Sequence, residues 1–284
     1  MNGHHNSKID NLSELYFTKD FSEPDPIDEK SRAEIDALLQ SGRLFRYQIA
    51  DRNSNPVSVA EVEFAKFVNS RFALGVNSGG CALTLAIKII LESIKNGLNI
   101  SMKSNNTVMT NAYTLSPVPG AIVHAGGVPL FIECDQASYS LNFESLKKVS
   151  KKSDSKILLL SYMRGRIPPD LEDIVSFCHK NNIMIVEDCA HTLGCKFRSK
   201  NLGNFGDISA YSLQTNKLIN CGEGGFLCTD CPYIISKAIV YSGSYANYGK
   251  HLSRPDFLQT GNELAKILIV CSVHYRHNFL NEKS

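Results

Sequence analysis

Apolar positions along the chain fall into short unbroken runs, separated by longer stretches in which apolar residues recur at helical spacing. Phe72 to Val76, Thr107 to Thr110, Val128 to Ile132, Ile157 to Ser161 and Ile183 to Val186 read as strands. Helices are expected over Asp28 to Gln40, with Gly42 as the stop, and over Val57 to Val68, Cys81 to Ile94, Pro117 to Ala125 and Asp170 to Lys180. Another is expected over Phe143 to Val149, where Asn142 is the cap, Glu144 lies in the first turn and Lys147 and Lys148 lie in the last. Continuous apolar strands that alternate with helices predict an α/β fold, with a mainly parallel sheet covered on both faces. In such sheets ligands gather at the carboxyl ends of the strands.

Charge and cysteine content narrow the classes of function. The formal net charge is +2 and no basic stripe carries interleaved aromatics, so nucleic acid is not an expected partner. No run approaches eighteen apolar residues and Met1 to Lys8 is polar, so neither a membrane span nor a signal segment is expected. The nine cysteines are odd in number and sit mostly inside apolar segments, which favours reduced thiols in a cytoplasmic setting. Cys228 and Cys231 form a C-x-x-C without a second pair at zinc spacing, so no metal site is expected. Residues 1–25 read as a polar arm, 26–258 as one large domain and 259–284 as an atypical tail.

The candidate chemistry is concentrated between Ile183 and Cys228. Asp188 ends the apolar run Ile183 to Val186, where a carboxylate can cap a helix or can keep a pyridine nitrogen protonated. Lys217 is ordinary as an isolated lysine, but Ser212 lies five residues before it and Gly222-Glu223-Gly224-Gly225 follows. In a partly desolvated pocket such a lysine has a lowered pKa and becomes a nucleophile toward an aldehyde. Ser78-Gly79-Gly80 precedes an apolar helix whose first amides are free for a phosphate, and Ser212 is a second donor. The same three residues also suit a plain strand-to-helix turn, and they match neither common nucleotide-binding loop. His191 reaches the same ligand as Asp188 if the backbone curls between them. Arg164 and Arg166 follow the strand ending at Ser161, where they either face an anionic substrate or sit in a solvated loop.

Four features in order, E-D-C-A-H at 187–191, Gly206-Asp207, the Ser212 to Lys217 spacing and G-E-G-G at 222–225, resemble the DegT/DnrJ/EryC1/StrS family of sugar aminotransferases. The resemblance runs from about Ile35 to Pro255. It implies the three-layer α/β/α large domain of the aspartate aminotransferase-like fold type I, with pyridoxal phosphate held as a Schiff base on Lys217. It also implies that Asp188 pairs with the ring nitrogen and that His191 lies beside the ring. Ser212 and the amides of Gly79 and Gly80 would hold the phosphate. The family moves an amino group, usually from glutamate, to a keto sugar carried on a nucleotide, in a ping-pong reaction at a site built from both subunits of a homodimer. Lys217 separates the chain from the dehydratase branch, in which a histidine replaces the lysine. Gly80 stands where the family has threonine, and Leu115 where it often has an aromatic residue against the ring, with Tyr113 as a possible substitute. After about Leu258 the resemblance fades, so the small C-terminal domain is expected to be largely missing. A second reading follows from this: a cofactor-binding or interaction protein of impaired activity.

Overall fold

A computed structural model describes residues 20, 23–24, 26–48, 51–95 and 106–255. The expected arm, apart from the few described residues before 26, and the expected tail lie outside them, as does Cys271. The described chain runs α1 (Glu29–Ser41), α2 (Pro56–Val68), β1 (Phe72–Val76), α3 (Gly79–Lys95), β2 (Thr107–Asn111), α4 (Pro117–His124) and β3 (Val128–Ile132). It continues α5 (Phe143–Ser153), β4 (Ile157–Ser161), α6 (Leu171–Lys180), β5 (Met184–Asp188), the short pair β6 (Lys196–Phe197) and β7 (Lys200–Asn201), β8 (Ile208–Ser212), β9 (Gly225–Thr229) and α7 (Pro232–Ile239).

Seven strands form one sheet in the order β1-β9-β8-β5-β4-β2-β3. All neighbouring pairs are parallel except those of β9, which runs antiparallel to both β1 and β8. Strand alternation sorts the core into two layers. Ile157 and Leu159 of β4 pack with α3, α4 and α7, whereas Leu158 and Leu160 pack on the opposite face with residues of α2, α5 and α6. Burial of apolar surface at about 25 cal/mol per Å2 drives both layers, and α3 contributes most visibly, with Ile87, Ile89 and Ile90 at most 1% exposed. The three-layer, mainly parallel architecture expected from the sequence is the one found.

Local chemistry moves two boundaries. The glycine pair belongs to α3 and does not precede it: the Ser78 hydroxyl accepts the Cys81 amide (3.1 Å) and its carbonyl accepts the Ala82 amide (3.1 Å), so the first helical turn already holds Gly79 and Gly80. Helix α5 runs one turn beyond Val149 to Ser153, and Lys151 and Lys152 occupy the last turn that Lys147 and Lys148 were expected to hold. Asn142 caps it as expected, accepting the Ser145 amide at 2.8 Å. Strands β8 and β9 follow from no sequence pattern read above; polar residues and glycine interrupt their apolar runs.

Candidate active site

The carboxyl ends of β4, β5 and β8 meet the N-terminus of α3 around a cavity of about 420 Å3. Six of the sequence-predicted residues line it together: Gly79 and Gly80 from α3, Asp188 at the end of β5, His191 just beyond, Ser212 at the end of β8, and Lys217 in the loop that follows. Leu115 lines it too, and remains 48% exposed. Tyr113 is not among the lining residues, and its ring packs on Tyr139, with centroids 5.9 Å apart.

Asp188 is buried at the cavity floor, with 6% of its surface exposed. One carboxylate oxygen accepts the Ser161 hydroxyl at 2.7 Å and the other the Ala190 amide at 3.2 Å. Ser161 is itself fixed: its hydroxyl accepts from Thr114 at 2.8 Å, and its backbone exchanges two bonds with the Asn111 side chain, at 3.0 and 3.2 Å. Burial pushes the Asp188 carboxyl above the ordinary range, against the pull of these donors and of the His191 and Lys217 charges. Among the described residues it has no ion-pair partner.

Lys217 Nζ lies 2.9 Å from His191 Nε2, and the other ring nitrogen, Nδ1, accepts the Arg164 amide at 3.4 Å. With Nδ1 accepting, a neutral imidazole carries its proton on Nε2 and presents it to Lys217, a pairing open only to the unprotonated amine. Burial lowers the Lys217 pKa, with Asp188 opposing, and burial together with the Lys217 charge lowers that of His191.

Close packing explains two glycines. A Cβ on Gly79 would lie 2.8 Å from Ser212 Cβ, and one on Gly225 would lie 2.6 Å from the Ser78 carbonyl carbon. The α3 amides and the Ser212 hydroxyl are thereby brought to one edge of the cavity. Gly80 is different: a Cβ there meets nothing nearer than Ser78 Oγ at 3.8 Å.

These residues fit pyridoxal phosphate. A buried carboxylate without a counterion suits a protonated ring nitrogen, an amine of lowered pKa suits the aldehyde, and the α3 N-terminus with Ser212 suits a dianion. The sequence reading missed Ser161 and Thr114, which brace Asp188 from distant segments, and gave Glu187 no role of its own. Glu187 is fully buried and accepts Tyr162 Oη (2.7 Å) and the amides of Gly203 (2.9 Å), Phe205 (2.7 Å) and Gly206 (2.5 Å). The acid next to Asp188 in the motif was the available signal. Eight cysteines among the described residues are free thiols, Cys228 and Cys231 being buried. None of the described helices is long and apolar enough to cross a membrane.

A family model for the DegT/DnrJ/EryC1/StrS aminotransferase family matches residues 26–254. The chain is 31% identical over 180 residues to the GDP-perosamine synthase of Vibrio cholerae, covering 63% of this chain and 46% of that protein. It is 28% identical over 190 residues to the GDP-perosamine synthase of Escherichia coli O157:H7, covering 66% and 49%. The chain thus spans about half the length of these relatives. Among solved structures it resembles an aminotransferase from Psychrobacter cryohalolentis, with a TM-score of 0.66 at 24% identity, covering 78% of this chain and 52% of the other.

Proposed function

Since the chain belongs to the DegT/DnrJ/EryC1/StrS aminotransferase family, we propose that it binds pyridoxal phosphate on Lys217 and transfers an amino group from glutamate to a nucleotide-linked keto sugar. The observation that carries this reading is the juxtaposition of Lys217, His191 at 2.9 Å and buried Asp188 in one cavity rimmed by Gly79, Gly80 and Ser212. The GDP-perosamine synthases among its relatives support the nucleotide-sugar class.

When bound, the cofactor supplies an aldehyde carbon for an amine and a protonated ring that withdraws electrons from the reacting carbon. The chain's residues supply the rest. Asp188, held anionic and oriented by Ser161 and the Ala190 amide, keeps the proton on the ring nitrogen. The α3 amides and Ser212 anchor the phosphate against the helix dipole. Lys217 Nζ would supply the nucleophile toward the aldehyde and, as a free amine, a base placed to move a proton within the cavity. His191, 2.9 Å from that nitrogen, aims it. We further propose a homodimer in a reducing, cytoplasmic compartment. An apolar groove of about 880 Å3, lined in part by Phe45, Tyr47, Phe226 and Tyr241, supports the first part, and the eight free thiols support the second.

The test is amino transfer from glutamate across a panel of nucleotide-linked keto sugars, with K217A as the control. Turnover that K217A abolishes is expected. No turnover with any acceptor, despite bound cofactor, contradicts the aminotransferase reading.

A further inference from the structure

We infer that Arg164 receives a carboxylate of the substrate at the mouth of the Lys217 cavity, an assignment that rests on the cofactor reading above. Two arginines follow β4, and the structure separates their roles. Arg166 is committed elsewhere, its guanidinium donating to the Ser138 carbonyl at 3.1 Å and lying over the Tyr139 ring at 5.2 Å. Arg164 is exposed, and among the described residues its guanidinium has neither a hydrogen-bond nor an ionic partner. It is nonetheless tied to the reaction centre. It follows Met163, which lines the cavity, and its backbone amide reaches His191 Nδ1, so that a single imidazole ring separates that backbone nitrogen from Lys217 Nζ.

The backbone holds Arg164 where its sequence alone would not. Its φ of 54° and ψ of 32° are left-handed, a conformation that an arginine adopts at a cost, and Gly165 beside it is left-handed too. The turn is clamped by buried Tyr162, whose hydroxyl donates to Glu187 and whose carbonyl accepts the Gly165 amide at 2.9 Å. Strain of this kind persists where the surroundings over-determine it, and it clusters at binding sites.

The charge balance explains why the ligand is an anion. Lys217, His191, Asp188 and Glu223 line the cavity that Met163 borders, and His191 contacts the Arg164 backbone. The Arg164 charge helps to lower the His191 pKa, after burial and Lys217, so its guanidinium acts on the ring electrostatically. A cation held there without a counterion is ready for one. The guanidinium fork matches a carboxylate in bidentate fashion. In an amino acid or 2-oxo acid the carboxylate sits on the reacting carbon itself, within a few ångströms of the lysine amine. A nucleotide phosphate is separated from the reacting sugar carbon by the rest of the sugar, which places it farther out.

The experiment measures equilibrium binding to the 284-residue chain loaded with pyridoxal phosphate, by calorimetric titration with 2-oxoglutarate and separately with GDP. The variants are R164Q, R164K and R164G, and the cofactor adduct at Lys217 is mapped in each. R164Q and R164G are expected to weaken 2-oxoglutarate binding by about tenfold to a hundredfold, with GDP unchanged and the adduct retained. R164K should lose less, because it keeps a point charge without the fork. R164G should keep the wild-type melting temperature or exceed it, because glycine suits the left-handed backbone. That separates lost recognition from lost folding. Unchanged 2-oxoglutarate affinity in R164Q and R164G overturns the assignment. A loss confined to GDP, or a loaded wild-type chain that binds no 2-oxoglutarate, also overturns it. Failure of the wild type to load at Lys217 contradicts the cofactor reading instead, and the same titrations on the cofactor-free chain then decide Arg164 separately.

Discussion

Asp188 and Lys217 depend on neighbours that hold them in their working states. Ser161 donates to Asp188 at 2.7 Å, and Thr114 donates to Ser161 at 2.8 Å, so the carboxylate has a hydroxyl relay behind it. S161A removes a hydrogen bond to a buried charge, an effect of about 1.5–3 kcal/mol. It should weaken cofactor binding by at least about tenfold while leaving Lys217 reactive; a cofactor titration that matches the wild type would contradict the role. Lys217 has its pKa lowered chiefly by burial. Its modification by an amine-directed reagent should therefore reach half-maximal rate at a pH below the ordinary lysine value of 10.5. A midpoint at or above that value would count against the free-amine pairing with His191. Gly80 offers a gain-of-function test, since a Cβ there meets nothing nearer than Ser78 Oγ at 3.8 Å. G80T places a hydroxyl at the α3 N-terminus and should raise cofactor affinity several-fold without loss of stability, whereas G79A must clash with Ser212. Equal affinity of G80T and wild type would show that the phosphate does not sit at this helix end.

At the scale of elements, Glu187 joins β5 to two loops. It accepts from Tyr162, at the end of β4, and from the amides of Gly203, Phe205 and Gly206 ahead of β8. E187Q leaves an amide nitrogen facing donors, and destabilisation by about 2–4 kcal/mol is expected in chemical denaturation. The strands that carry the site differ in how plainly the sequence announces them. Ile157 to Ser161 and the run into Asp188 are unbroken apolar stretches, so their ends, and hence Asp188, were legible. Strand β8 reads I-S-A-Y-S and β9 begins with glycine, and only the sheet, by pairing Ser209 with Cys228 and Ser212 with Gly225, makes them strands. The Thr114–Ser161–Asp188 relay was not legible, because its members come from three segments up to 74 residues apart in sequence that only the strand order brings together. The packing of Tyr113 was not legible for a related reason. Its neighbour Tyr139 comes from the loop after β3 and packs against the ring.

Across the whole molecule, a buried charge cluster fastens the region before α2 to the end of the described chain. Arg46 makes two hydrogen bonds to Glu61, at 3.0 and 2.9 Å, and His251 Nδ1 lies 3.6 Å from the same carboxylate. The Gly75 amide donates to Glu61 at 2.8 Å, and Tyr47 Oη pairs with His251 Nε2 at 2.9 Å. Burial alone would push the Glu61 pKa up, but hydrogen bonds and charges from His251 and Arg46 outweigh it and hold the carboxyl below its ordinary range. A depressed carboxylate pKa stabilises the fold above the unfolded value of about 4.5, and that stability is lost as the pH falls through the folded value. Wild-type melting temperature should thus fall on acidification below about pH 4.5. E61Q, which leaves Arg46 without its charge partner, should be less stable at pH 7 by about 3–5 kcal/mol and lack this part of the acid slope. An unchanged slope in E61Q would move the effect to another group. The central claim for the molecule is that the α3 N-terminus and the ends of β4, β5 and β8 enclose one pyridoxal phosphate, bound through Lys217. The measurement that tests it most directly is borohydride reduction of the purified chain after addition of pyridoxal phosphate, followed by peptide mapping. The account predicts a visible absorption band that reduction removes, with a single adduct on Lys217 that K217A lacks. Folded protein with no adduct, or with adducts scattered over surface lysines, would contradict it.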